Sequence, residues 1–299
     1  MPSLLCETVT GPSMAALLAG RDAVTAADLV ELRLDGVADV DVAAALRGRR
    51  LPAIVTCRPV WEGGRFDGGE EERRGFLVEA LACGADYVDV EWRAIREDVG
   101  LGGFGDLVRA HPSRVVVSVH DFDGVPADLC AEARMMRASG ASVIKVAVLA
   151  RRLADTLPLI DVARGGDAVV IGMGDAGVPS RLLASRFGSR WTYAGGGAAP
   201  GQMPAARMID GFRFRLIGPQ TTLYGVAGEG ALHSPVPERF NAAFADAGID
   251  AVCVPLCAAD ADDLRAFKSA LGFAGVVAAR ASADAMARLL ADWAGQKVR

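Results

Sequence analysis

Lys145 stands in the middle of ASVIKVAVLA, residues 141–150, a run that otherwise reads as one buried strand. Lysine is seldom fully buried unless it is paired or reactive, and burial disfavours the charged form of an amine. The strand-like run before it, RVVVSVHDF, carries His120, a side chain whose ordinary titration range suits proton transfer at neutral pH. Charged groups recur toward the ends of other β-rich runs: Glu31, Arg33 and Asp35 in ELRLD, Arg58 in VTCRP, Asp89 and Glu91 in YVDVEW. A lysine, a histidine and several arginines gathered at one rim would suit amine catalysis on a carbonyl compound. The lysine would form a Schiff base, which withdraws electrons and acidifies the neighbouring carbon. The histidine would move protons, and the arginines would hold an anionic group such as a carboxylate. Asp89 and Glu91 are open to two readings, direct participation or structural bonding to other inward polar groups.

Such a rim needs strands to position it. The candidates are LLCETV, LVELRLD, AIVTCRP, YVDVEW, RVVVSVHDF, VIKVAVLA, AVVIGMG and RWTYAG. Helical runs such as EEERRGFLVEALACG, ADLCAEARMMRASG and PSRLLASRFG lie between them, several ending at a C-capping glycine, and MPAARMIDGFRFRL reads as an eighth helix. About eight βα units fit the lower size limit of a (β/α)8 TIM barrel, placed at residues 1–217. Counting alone is also compatible with a doubly wound open sheet. Strand phase favours the barrel. Ser118 and His120 alternate with Val117 and Val119, Asp89 and Glu91 with Val88 and Val90, and Lys145 with Ile144 and Val146. One face of each strand thus suits packing beneath helices, and the other gathers polar groups toward the carboxyl end, where a barrel builds its active site. A second unit, residues 218–299, reads as a small α/β domain in the order βαβαβα. The joining run RLIGPQTT is short, so the two units are expected to touch.

Bulk properties exclude several classes. Among 299 residues, 52% are hydrophobic and mean hydropathy is +0.27, as in a well-buried globular chain. A net charge of −5 with no basic stripe argues against nucleic-acid binding. No apolar run approaches the ~20 residues of a membrane helix, and MPSLLCETVTGPS lacks the features of a signal peptide. Six scattered cysteines without a C-x-x-C pair read as free thiols of a cytoplasmic protein, and no structural metal site is expected. GMGDAG, residues 172–177, fits a dinucleotide-binding glycine pattern, but WTYAGGG offers no acidic residue where that motif wants one. The glycines are read as letting a loop pass close to substrate, and no cofactor is expected.

Over residues ~3–215 the chain resembles the type I 3-dehydroquinate dehydratases, metal-free enzymes of the shikimate pathway of chorismate and aromatic amino acid biosynthesis. The motifs stand in family order. The resemblance implies substrate contacts from Glu31 and Arg33 of ELRLD and from Arg58 of TCRPVWEGG, with Glu62 supporting the histidine. It implies His120 of SVHDF as general acid/base and Lys145 of IKVAV as the Schiff-base lysine. Met173 and Arg181 of GMGDAGVPSR would line the site and grip the substrate carboxylate, Arg181 at the start of a helix. Gln202 of APGQ would lie on a loop that closes over 3-dehydroquinate. The family serine of that loop is Ala198 here, which implies weaker closure, at the cost of one neutral hydrogen bond or about 0.5–1.5 kcal/mol.

The second unit resembles the substrate-binding domain of shikimate dehydrogenase, which is fused to the dehydratase in some bifunctional enzymes. LYGVAGEGALHSPVPERFNAAF matches its opening strand and H-S-x-S-P motif with Ser234, but the second serine is Val236. At the family's N-V-T-x-P-H-K motif this chain has VAARASA, so the lysine position is Ala283, and with the sequence ending at Arg299 no nucleotide-binding domain is expected. The expectation is a degenerate domain without dehydrogenase activity that serves packing, regulation or a homodimer, with Ser234 as a candidate ligand contact. Two rival readings stay open: a non-catalytic metabolite sensor, and a Schiff-base lyase or aldolase acting on a related keto acid.

Overall fold

In the computed structural model, which describes residues 3–97, 102–196 and 200–279, eight parallel strands form one sheet curled into a barrel. They are β1 (Leu4–Val9), β2 (Leu29–Arg33), β3 (Ala53–Thr56), β4 (Tyr87–Glu91), β5 (Val115–Asp121), β6 (Val143–Leu149), β7 (Ala168–Met173) and β8 (Trp191–Ala194). From β1 to β7 each strand pairs in parallel with the next, and β8 pairs in parallel with β1. The ring is nearly closed. No ladder joins β7 to β8 among the described residues; the Arg190 N–H donates to the Ala168 carbonyl, and the Val170 N–H to the Ser189 hydroxyl.

Strand alternation divides the apolar residues in two. Leu32, Val55, Val88, Val117, Ile144, Val146 and Val170 belong to the large cluster beneath the helices. Leu29, Ile54, Val116, Val143, Val169 and Trp191 fill the barrel interior. The wrapping helices are α1 (Met14–Ala23), α2 (Val42–Leu46), α3 (Glu70–Ala82), α4 (Trp92–Glu97), α5 (Phe104–Ala110), α6 (Leu129–Ala138), α7 (Leu157–Ala163), α8 (Val178–Leu182) and α9 (Ala184–Phe187).

Two helical expectations are corrected. PSRLLASRFG is two short helices broken at Leu183, so Arg181 sits in the last turn of the five-residue α8 rather than at a helix start. A helix that short has no developed N-terminal dipole to add to the arginine's charge. The expected eighth helix is a wide π-type turn at Arg207–Gly211 followed by a 3₁₀ turn at Phe214–Leu216. Apolar spacing does not separate these windings from an α-helix.

The second unit places β9 (Thr222–Ala227) between β10 (Ala251–Leu256) and β11 (Gly275–Ala278), all parallel. Helix α10 (Val236–Asp246) covers one face with Val236, Phe240 and Phe244. Leu223, Val254 and Leu256, with Phe267 and Leu271 of α11 (Ala261–Leu271), join the same apolar cluster as the barrel's outer core. The units therefore touch through buried apolar surface, as the short junction implies. The last helical run, at residues 282–295, and Ala283 lie outside the described residues.

Candidate active site

The inward polar residues converge at the carboxyl end of the barrel, on a cavity of about 180 Å³. Its walls include Glu31, Arg33, Arg58, Glu62, His120, Lys145, Met173, Arg181 and Gln202, so all nine barrel residues singled out from the sequence meet in one place. Ala198 lies outside the described residues.

Lys145 is held from below by two carboxylates, with Nζ 3.1 Å from Asp89 Oδ2 and 3.4 Å from Glu31 Oε1. The same ammonium lies 4.5 Å from the centre of the Tyr193 ring, near enough for a cation–π contact. Side-chain alternation explains its direction: Val143, Lys145 and Ala147 face inward while their neighbours pack under helices. Glu31 is fixed by the hydroxyls of Thr56, at 2.9 Å, and Thr8, at 3.2 Å. The Gln202 amide reaches that Thr8 hydroxyl at 3.4 Å.

His120 and Glu62 form a second centre one inward step above Lys145, since Ser118 pairs with Lys145 and His120 with Ala147. One oxygen of Glu62 accepts the His120 backbone N–H at 2.8 Å and lies 3.3 Å from Nδ1. Burial pushes the Glu62 carboxyl up to about 7, against the pull of Arg58. Burial, with Arg58 and Lys145 nearby, holds the His120 imidazole well below its usual range. The imidazole is therefore neutral at neutral pH, and a ring whose Nδ1–H is donated to Glu62 presents the Nε2 lone pair to the cavity.

Beneath them runs a chain of alternating charges. Arg58 contacts Asp89 at 2.8 Å, Glu91 at 2.6 Å and the Ser118 hydroxyl at 2.9 Å. Glu91 is closed on its other side by Arg73, which is fully buried and also bonds Glu70 at 2.6 Å. Burial alone would raise the Asp89 carboxyl, but Arg58 and Lys145 outweigh it and hold Asp89 well below the usual carboxylate range. Arg33 is turned aside: its guanidinium makes a two-point contact with Asp35 at 2.7 and 2.8 Å. Arg181 differs from every other cation in the cavity. It is 1% exposed, donates once to the Pro200 carbonyl at 3.1 Å, and has no partner for Nε or Nη1 among the described residues. Burial lowers it to about 10. A buried guanidinium with donors unused among the described residues is suited to binding an anion.

Asp89 and Glu91 are both ion-paired, Asp89 with Arg58 and Lys145 and Glu91 with Arg58 and Arg73. Thr8 and Tyr193 are cavity residues that the sequence does not single out, although Tyr193 lies on the inward face of β8, while Ser118, placed inward by strand phase, bonds Arg58. Ser234 of the second unit is buried and donates to the Ala279 carbonyl at 2.8 Å. Among the described residues no group of three or more His, Cys, Asp or Glu is placed to hold a metal ion, and all six cysteines are free. No helix there is long and apolar enough to cross a membrane.

The fold and cavity define a class: parallel barrel enzymes in which an inward lysine can condense with a carbonyl group beside a proton-moving imidazole. A profile of the type I 3-dehydroquinase family matches residues 5–218, and the chain belongs to that family. The bifunctional 3-dehydroquinate dehydratase/shikimate dehydrogenase of Arabidopsis thaliana chloroplasts is 34% identical over 273 residues, 85% of this chain and 44% of that one. The chain thus spans under half the length of that relative. The crystal structure of 3-dehydroquinate dehydratase from Geobacillus kaustophilus, 27% identical, superposes with a TM-score of 0.60 over 70% of this chain and 89% of the other. The dehydroquinate dehydratase and shikimate dehydrogenase structure from S. pombe, 22% identical, shares the fold over 93% of this chain and 57% of its own, with a TM-score of 0.58.

Proposed function

We propose that the chain is a lyase that dehydrates 3-dehydroquinate to 3-dehydroshikimate, in the shikimate pathway, through a Schiff base on Lys145. The observation that carries the reading is one cavity containing an inward Lys145, the His120–Glu62 pair and a buried Arg181 with unused donors. Lys145 passes its ammonium proton to the neutral His120 imidazole and attacks the C3 ketone, and the carbinolamine takes up that proton and loses water to give an iminium ion. His120 carries the protons for that collapse. The iminium acidifies C2, His120 removes a C2 proton, and the electron pair forms the C1–C2 double bond as the C1 hydroxyl leaves. His120 returns its proton to that oxygen, so one water is released. A second water then hydrolyses the imine and restores Lys145. Glu62 orients His120 and balances its charge, Arg181 holds the substrate carboxylate, and Glu31, Arg33, Arg58, Met173 and Gln202 shape the rest of the pocket. None of these steps draws on a cofactor or metal ion.

The second unit is proposed to lack dehydrogenase activity. Val236 replaces a family serine, and the hydroxyl of Ser234 is already engaged with a carbonyl. A cytoplasmic location, consistent with six free thiols, and assembly as a homodimer complete the proposal; sedimentation velocity reads the latter.

Incubation with 3-dehydroquinate and borohydride should reduce the imine and leave a mass adduct on Lys145, while untreated enzyme generates enone absorbance. Absence of both would refute the reading. Shikimate with NADP should give no NADPH; its appearance would overturn the second assignment.

A further inference from the structure

We infer that the second unit positions the substrate-carboxylate anchor of the barrel, with Asp263 as the positioning residue; the inference rests on the dehydratase reading above. Asp263 lies in the first turn of α11, yet its carboxylate faces the barrel and is wholly buried. One oxygen accepts the Ala154 N–H at 2.8 Å, and the other accepts the N–H groups of Leu153 at 3.0 Å and Ala259 at 2.9 Å. A tether between domains needs no ion removed from water, and such an ion persists only where donors compensate it. Here two of the three donors belong to the barrel, in the 3₁₀ turn Leu153–Thr156 that follows β6. Outside the buried contact, Arg152 adds an exposed salt bridge to Asp260 at 2.9 Å.

That turn is one packing step from the anchor. The Thr156 hydroxyl closes the turn on the Leu153 carbonyl at 2.7 Å. Its methyl presses on Gly172 of β7, where an added Cβ would stand 2.9 Å from Thr156 Cγ2 and 2.8 Å from Gly177 Cα. No other residue fits there, because backbone as well as side chain fills the space. The Gly172 N–H is taken by the Ser180 hydroxyl at 2.8 Å, which itself donates to the Gly177 carbonyl at 2.7 Å. Arg181 is the next residue. A path of close contacts thus runs from Asp263 through the turn and Gly172 to the backbone that aims the guanidinium.

The test is a double-mutant cycle in the full chain, read by steady-state kinetics and urea unfolding: wild type, Asp263→Asn, Arg181→Lys and both. Asp263→Asn should raise KM for 3-dehydroquinate about 5- to 50-fold with kcat within about twofold, and its effect should shrink when Arg181 is already replaced. Thr156→Ser, which removes only the methyl on Gly172, should move KM in the same direction and serves if Asp263→Asn does not fold. A lowered urea midpoint with unchanged KM, or fully additive KM effects, overturns the inference. A wild type without dehydratase activity would instead sink the reading on which it rests.

Discussion

Replacing Arg181 with methionine should make the empty protein more stable and nearly useless. The guanidinium is 1% exposed, and two of its donor atoms are unpaired among the described residues. Burial lowers its proton affinity from the ordinary arginine value to about 10, a difference worth about 3 kcal/mol against folding. The sign follows from linkage: above the folded value the unfolded chain binds more protons, so stability rises with pH only beyond about 10, and at neutral pH the whole penalty is present. Methionine fills similar volume without charge, but forfeits the bond to the Pro200 carbonyl, about 1 kcal/mol. The net expectation is a gain of about 1–2 kcal/mol, in line with apolar replacement of other poorly compensated buried charges. Urea unfolding at pH 7 should show a higher midpoint with an unchanged slope. The same variant should lose saturation by 3-dehydroquinate, since a charge-assisted contact to a carboxylate contributes to substrate and transition state alike. A variant less stable than wild type by more than about 1 kcal/mol would refute the unpaired-charge argument. One with normal KM would refute the anchor.

Three further outcomes follow from the site. Lys145→Ala should abolish the borohydride adduct and lower kcat by at least about a thousandfold, as loss of a covalent nucleophile does; residual trapping elsewhere on the chain would refute its assignment. Glu62→Gln should change the pH dependence of folding. Burial raises Glu62 to about 7, so wild type loses stability from this group as pH rises through that value, while the depressed His120 gains stability as pH rises toward its unfolded range. With glutamine only the histidine's slope remains, and urea midpoints should climb with pH up to about 6.5; a parallel pair of profiles would refute the coupling. Arg73→Met leaves Glu91 facing Arg58 alone and should cost about 3–5 kcal/mol, the usual price of orphaning half of a buried pair; a loss below 1 kcal/mol by urea unfolding would refute it.

What was legible in the sequence was mainly direction along strands. Lys145, His120, Glu31 and Arg58 could be placed on one face because each alternates with aliphatic neighbours that a barrel packs beneath helices. Glu62, Met173, Arg181 and Gln202 lie beyond strand centres or on loops, so periodicity says nothing of them, and only the family resemblance pointed there. Arg73 was hidden for a different reason. In EEERRGF it looks like one of several solvent-facing charges, and only the packing of α3 over β4 makes it the buried partner of Glu91 while Arg74 is not. The pairing of Arg33 with Asp35 was within reach, since the two share a face of ELRLD, but which charge Arg33 would choose depends on the loop bearing Arg65, whose N–H also bonds Asp35. Asp263 could not have been foreseen at all. Its partners are backbone N–H groups, which carry no sequence signature.

Lys145 and Arg181, two of the buried cations at the cavity, receive opposite treatment, and under the proposed reaction the difference would set how a substrate lies. Lys145 is compensated by Asp89 and Glu31; Asp89 is shared with Arg58, Arg58 with Glu91, and Glu91 with Arg73, whose other partner, Glu70, reaches solvent. The field around the amine is thus near balance before any ligand arrives. Arg181 stands outside that network, beside Pro200, with no carboxylate partner among the described residues. An incoming keto acid can satisfy both only by turning its carboxylate toward α8 and its carbonyl toward β6. The reverse orientation would set a third carboxylate beside Asp89 and Glu31 and leave Arg181 buried and unpaired, a like-charge contact and an uncompensated ion at once. Uncharged ketones should bind more weakly for the same reason: they could reach Lys145, but would give Arg181 no counter-ion.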